Sequence, residues 1–192
     1  RLGSGRRRLG DRLVATCPHT LLAASGEAVG LPTGTVGNSE ARHLHLGAGR
    51  VVPADRVRIA AAIADGTFFD NPVLRGAAET ARAGARPLHL LGIVSFFSSH
   101  GSLDHLFALL ELARRVGVRE VFVHGLLGRR GERPQSGAHY VGRIEEQAAA
   151  LGVGQVASVI GRYWALDREH HWDRVKRAYD LLVRGIGRAV SG

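Results

Sequence analysis

From Pro87 onward the chain alternates three times between a short apolar run and a helical pattern, and that alternation leaves few folds open. Leu88 to Ser95 is the first run, followed by Leu103, Leu106, Phe107 and Leu110 at helical spacing. Glu120 to Leu127 (EVFVHGLL) is the second, followed by Tyr140, Val141, Ile144, Ala148 and Leu151. Gln155 to Ile160 is the third, and a last helix from about Trp172 is expected to turn Val175, Ala178, Tyr179, Leu182 and Ile186 inward. Strands that are apolar along their whole length are buried on both faces, as in a parallel sheet covered by helices. The expected class is therefore α/β with a parallel sheet.

The first third reads differently. Residues 11 to 52 are rich in Gly, Thr and Ser, with turn signals such as Leu31-Pro32-Thr33-Gly34, and can hardly bury a core alone. Pro53 then opens two helical segments, Asp55 to Asp65 and Asn71 to Ala83, separated by a Gly66-Thr67-Phe68-Phe69 break that resembles a hinge. A boundary is placed near Pro53, giving segments 1–52 and 53–192. The opening RLGSGRRRLG is basic and Gly-rich with no apolar signal core; it reads as the frayed end of a GC-rich gene product rather than a transit peptide. With no methionine, the chain is expected to be a piece of a longer product or to have a misplaced start.

Composition narrows the function classes. A chain of 192 residues with 45% hydrophobic and 22% charged residues has globular proportions, and no apolar run reaches the roughly 18 residues of a membrane span. Cys17 is the only cysteine, which excludes an internal disulfide framework and a multi-cysteine metal site and suits a cytoplasmic setting. The formal charge is +9, and Lys176 is the only lysine among 26 cationic residues, so the positive charge is nearly all guanidinium. That group grips phosphate and carboxylate bidentately. Nucleic-acid binding is disfavoured, because no recognised motif or aromatic platform accompanies the charge.

In an open parallel sheet, ligands bind beyond the carboxyl ends of the strands. His100 follows the first strand, Arg129 and Arg130 the second, and Arg162 and Arg168 the third. One histidine and four arginines on one rim point to a small phosphorylated or carboxylated anion. Other signatures are incomplete. There is no phosphate-binding GxxxxGK loop, and Gly47-Ala48-Gly49 lacks the third glycine of a dinucleotide fingerprint. His43 and His45 could share a strand face, but nothing completes a zinc site around them. Ser39, in Gly37-Asn38-Ser39-Glu40, stands where a helix start would present its hydroxyl and stabilise a phosphoserine.

Several stretches together resemble the cofactor-independent phosphoglycerate mutases. They are Ser25-Gly26-Glu27-Ala28-Val29-Gly30-Leu31-Pro32, Gly37-Asn38-Ser39-Glu40, His43-Leu44 and Gly47-Ala48-Gly49-Arg50-Val51-Val52. The likeness continues through Asp104 to Leu112, Val123-His124, Gly161-Arg162-Tyr163, Asp167-Arg168 and Trp172, covering about residues 11 to 188. The resemblance implies a partial alkaline-phosphatase-like segment followed by a partial inserted phosphotransferase domain. It implies interconversion of 3-phosphoglycerate and 2-phosphoglycerate through a phosphoserine, in glycolysis and gluconeogenesis. Ser39 is then the nucleophile and a metal ligand, His100 the histidine that contacts substrate phosphate and handles a proton, and Arg130, Arg162 and Arg168 the substrate-binding arginines. Two manganese ions, a small-molecule substrate, no nucleic-acid or membrane partner and a monomeric cytoplasmic enzyme also follow from it.

The sequence departs from the family pattern at several points. The family's Asp-Gly-Arg-Asp reads Gly128-Arg129-Arg130-Gly131, so its second substrate-binding aspartate is Gly131. The Asp-Gly-Gly before the active histidine reads Phe96-Phe97-Ser98, and the Asp-Gly-Trp-Gly metal motif and later Asp and His segments are absent. The isolated chain is expected to have no mutase activity. The alternative is a non-catalytic anion-binding or partner-binding remnant of that enzyme.

Overall fold

The computed structural model describes residues 8–95, 101–128, 133 and 135–190. The chain divides into two compact units, Arg1–Val57 and Arg58–Gly192.

In the first unit, α1 (Arg8–Thr16) and α2 (Ser39–Ala48) flank a 3-10 turn at Gly26–Val29. Little is buried: Val29 and Leu31 are, while Leu9, Leu13, Val14, Leu21 and Leu22 are exposed. The chain closes on itself through glycines. Gly37 passes so near the Ala24 carbonyl that a Cβ would lie 1.8 Å from its oxygen. Gly30, at φ 61°, would bring a Cβ within 2.5 Å of the Val52 oxygen, so no other residue fits either place.

The helix α3 (Asp55–Asp65) spans the division. After it, the Gly66 break is a packed 3-10 turn, Thr67–Asp70, rather than a loose hinge. Phe68 is buried there, and the Arg115 guanidinium lies 3.8 Å over the Phe69 ring. Asn71 then caps α4 (Pro72–Ala83), its Oδ1 accepting from the Val73 and Leu74 amides at 3.0 and 3.1 Å. Pro72 sits at the first turn, where its missing N–H costs nothing.

The second unit is built on β1 (Leu88–Val94), β2 (Val121–Leu127) and β3 (Gln155–Gly161), all parallel in the order β1-β2-β3. The crossovers are α5 (Leu103–Val116) and α6 (Ser136–Leu151), and α7 (Arg162–Ala165) and α8 (Trp172–Arg184) follow β3. Sequential strands joined by right-handed crossovers place both connecting helices on one face. The core agrees: Leu103, Leu110, Ile144, Val94 and Val123 are almost wholly buried together with Ala78 of α4. Each such aliphatic side chain contributes about 1.5–3 kcal/mol through burial. On the opposite face Leu91 is 58% exposed.

The last helix differs from its sequence reading. Ala178 is buried, but Tyr179, Leu182 and Ile186 are exposed at 52%, 38% and 61%. The apolar stripe is real; among the described residues only part of it finds a covering surface. No described helix is long and apolar enough to cross a membrane.

Candidate functional site

The carboxyl ends of the three strands define a rim. At β1, Ser95 is fully buried and its carbonyl accepts from the Leu103 amide at 3.1 Å, so the strand end feeds the start of α5. At β2, Gly128 adopts φ 93°, and a Cβ there would lie 3.7 Å from Arg162 Cγ. The Arg162 side chain thus runs beside the end of β2 from its own place at the end of β3. Arg168 is exposed on the segment between α7 and α8. Neither the Arg162 nor the Arg168 side chain has a hydrogen bond or ion pair among the described residues. His100, Arg129 and Arg130 lie outside the described residues.

The neighbouring arginines are engaged. Arg174 lies 4.2 Å over the Tyr163 ring, Arg177 lies 4.2 Å over the Trp164 ring, and the two rings meet edge to face with centroids 4.9 Å apart. Stacking of this kind contributes about 0.5–1 kcal/mol per pair at exposed sites and fixes α7 against α8. Arg174 also donates to Asp167 Oδ1 at 3.3 Å. Asp167 Oδ2 accepts from the amides of Glu169 and His171 at 3.2 and 2.8 Å. Burial alone would raise the Asp167 carboxyl, but those two amides and the positive charges of His171 and Arg174 outweigh it and hold it below its ordinary value.

In the first unit, Ser39 is the first residue of α2 and is exposed. Asn38 precedes it as the N-cap, its Oδ1 accepting from the Ala41 amide at 2.8 Å. His43 Nδ1 lies 3.3 Å from Ser39 Oγ and 2.7 Å from the Ser39 carbonyl oxygen. A carbonyl only accepts, so Nδ1 carries the proton and donates there. His43 in that tautomer cannot take the hydroxyl proton of Ser39. The shared strand face considered for His43 and His45 does not exist: both are on α2, where residues two apart point in different directions. His45 instead meets the Val52 carbonyl oxygen through Nε2 at 3.0 Å.

No three His, Cys, Asp or Glu side chains converge among the described residues. Among the described residues Ser39 has His43 beside it, and those residues do not complete the two-manganese arrangement that the resemblance implies. Two depressions among the described residues lie elsewhere. One of about 1250 Å³ follows the β3 edge past Val156, Arg177, Leu181 and Ile186; one of about 480 Å³ follows β1 past His89, Leu91 and Leu106. Neither includes Arg162 or Arg168, and both are grooves along unpaired strand edges.

In the sequence Asp167 stands out only as part of the Asp167-Arg168 motif, with no role of its own, and its partner Arg174 does not stand out at all. An Asp whose carboxylate can accept from amides two and four residues on is a recognisable turn signal. The pairing with Arg174 across the start of α8 is not readable from local sequence.

The family model described as BPG-independent PGAM N-terminus matches residues 59–191. The chain belongs to the BPG-independent phosphoglycerate mutase family. A 2,3-bisphosphoglycerate-independent phosphoglycerate mutase of Moorella thermoacetica is 47% identical over 190 residues, which is 99% of this chain and 37% of that protein. The enzyme of the same description from Coxiella burnetii is 48% identical over 175 residues, 91% of this chain and 34% of its own length. Among solved structures, a phosphoglycerate mutase of Leishmania mexicana, studied at low cobalt concentration, superposes with a TM-score of 0.75 at 30% identity. That match covers 88% of this chain and 32% of the Leishmania chain. The chain therefore spans about a third of the length of the phosphoglycerate mutases it matches. The α/β class with a parallel sheet, expected from the apolar runs, is the class observed.

Proposed function

We propose that the chain is the phosphoglycerate-receiving part of a metal-dependent phosphoglycerate mutase. In this reading residues 53–192 are a partial phosphotransferase domain, whose rim holds the substrate through Arg162 and Arg168 together with His100 and Arg130. Residues 1–52 are a partial phosphatase-like segment whose Ser39 accepts the phosphoryl group. The enzyme is a monomer of the cytoplasm that acts in glycolysis on a small molecule and uses manganese supplied with ligands beyond those described.

The observation that carries this reading is the contrast among the arginines after β3. Arg174 and Arg177 are engaged on aromatic rings and a carboxylate, whereas Arg162 and Arg168 have no side-chain partner among the described residues. Phosphoglycerate carries a carboxylate and a phosphate, the two groups that a planar guanidinium grips bidentately. Holding both ends lets the phosphoryl group leave one hydroxyl and return to the other. Ser39 supports the same chemistry, because the dipole at the start of α2 favours a phosphorylated hydroxyl there. His43, with its Nδ1 proton on the Ser39 carbonyl, is not the base, so activation of the hydroxyl falls to another group.

Alone, the chain binds without turning over. Gly131 replaces the aspartate that would accept the glycerate hydroxyls, and the residues described do not build a metal centre. The test is calorimetric titration of 3-phosphoglycerate into the wild-type chain and into Arg162→Ala, beside an assay for 2-phosphoglycerate with manganese present. Binding weakened about tenfold by Arg162→Ala, with no product, is the expected result. Equal binding by both chains, or by neither, overturns the rim assignment; formation of 2-phosphoglycerate overturns the inactivity.

A further inference from the structure

Two arginines serve one anion well only when their backbones hold them at a fixed separation, since a guanidinium on a mobile segment loses its grip to entropy. Among the described residues nothing holds the side chains of Arg162 and Arg168, so the constraint must come from the segment that carries them. We propose that Asp167 is the positioning residue of this rim: its buried carboxylate fixes the turn that carries Arg168 and, through Arg174 and the Tyr163 ring, the short helix that carries Arg162. This inference rests on the phosphoglycerate reading of the rim.

Four observations converge on Asp167. Its side chain is only 3% exposed although both flanking residues are at least partly exposed, so the carboxylate points inward from a surface segment. Its Oδ2 accepts from the amides of Glu169 and His171, which brackets Arg168 between the carboxylate and the chain it gathers. Within that turn His170 adopts φ 65°, a left-handed conformation that a non-glycine residue keeps only when its surroundings impose it. The other oxygen, Oδ1, meets Arg174, whose guanidinium covers the ring of Tyr163, the residue next to Arg162. One carboxylate thereby ties the Arg168 turn, the start of α8 and α7 together. Its negative charge is taken up by two amides and a guanidinium, so it does not oppose an incoming anion.

The test uses the whole chain and 3-phosphoglycerate. Asp167→Asn keeps the shape but removes the charge, and is expected to weaken binding about tenfold. Arg168→Lys keeps the charge but loses the fork, and is expected to weaken it by a similar factor. The double variant is expected to lose clearly less than the product of the two single losses, because the part of the Asp167 effect that runs through Arg168 has nothing left to position and only the part through Arg162 remains. Losses that multiply in the double variant, or an Asp167→Asn chain that binds like wild type, overturn the proposal. Should Asp167→Asn fail to fold by circular dichroism, Arg174→Gln takes its place, since it leaves both backbone bonds intact. It is expected to weaken binding about threefold, with the loss absent in the Arg162→Ala background, because Arg174 acts through the helix that carries Arg162; a loss that persists there counts against Asp167. If wild type does not bind 3-phosphoglycerate, the rim reading falls and this inference with it. If wild type binds and Arg162→Ala weakens it while Asp167→Asn does not, this inference falls alone.

Discussion

His89 Nδ1 on β1 lies 2.9 Å from His124 Nε2 on β2, and the two imidazoles stack with centroids 5.2 Å apart. Beyond His124, its Nδ1 meets Ser158 Oγ on β3 at 2.7 Å, so one polar row crosses all three strands on the face away from the core helices. Burial lowers the His124 imidazole from its ordinary value of 6.5, and charge on His89 lowers it further. A histidine with a lowered folded-state value binds fewer protons when folded. Its contribution is therefore whole above about pH 6.5 and is lost as pH falls below that toward the folded value. Urea unfolding is expected to show stability falling between about pH 7 and pH 5, and His124→Gln is expected to flatten that fall. An identical pH dependence in wild type and variant would show that the pair does not titrate with unfolding.

Glu111 is the counterpart at acid pH. It accepts from Arg114 at 2.7 and 2.8 Å and from Arg115 at 2.8 Å, and those bonds, Arg114 first, lower its carboxyl from 4.5 to about 2. Its contribution is present above about pH 4.5 and is lost as pH falls through the folded value. Both arginines are about half exposed, so solvent screens the pairs and the contribution is about 1 kcal/mol or less. Glu111→Gln is expected to lose that much at pH 7 and only a small part of it near pH 2, read by chemical denaturation at the two pH values.

The sheet was the most legible part of the molecule because continuous apolar runs such as Leu88 to Val94 have few alternatives in a chain of this length. Ser39 at a helix start was legible for a local reason too, since Asn followed by Ser is a capping signal. Helix α1 escaped notice because Gly10 and the arginines around it obscure a stripe of Leu9, Leu13 and Val14. The inward reading of Tyr179, Leu182 and Ile186 failed because periodicity marks an apolar face but not what covers it. The His89–His124–Ser158 row and the Asp167–Arg174 pair depend on strand register and helix docking, which no local pattern encodes. Of the candidate site, Arg162 is placed beside the end of β2 and Arg168 on the turn after α7, while the assignments to His100 and Arg130 rest on resemblance.

Gly125 is the tightest point of the sheet. A Cβ there would lie 2.8 Å from Val94 Cγ2 and 3.5 Å from Val159 Cγ1, and Val94, only 2% exposed, has no room to retreat. Gly125→Ala is expected to destabilise the chain by about 1–3 kcal/mol through overpacking. Shortening the neighbour should relieve it: Val94→Ala added to Gly125→Ala is expected to give a smaller loss than the two singles summed, by about 1 kcal/mol. Simple additivity in urea titrations would show that the strain lies elsewhere.

Asn38 determines whether the Ser39 hydroxyl stands at an ordered helix start. Its Oδ1 holds the Ala41 amide at 2.8 Å, and its carbonyl accepts from the Arg42 amide at 3.3 Å, so the first turn of α2 is closed from one residue. An N-cap of this kind contributes about 1 kcal/mol, and no residue of α2 whose burial is described is buried to compensate for its loss. Asn38→Ala is expected to speed amide exchange at Ala41 about fivefold. Asn38→Asp restores the acceptor, adds a charge favourable to the helix dipole, and is expected to slow exchange to the wild-type rate or below. Unchanged exchange in Asn38→Ala would mean that the turn holds without its cap.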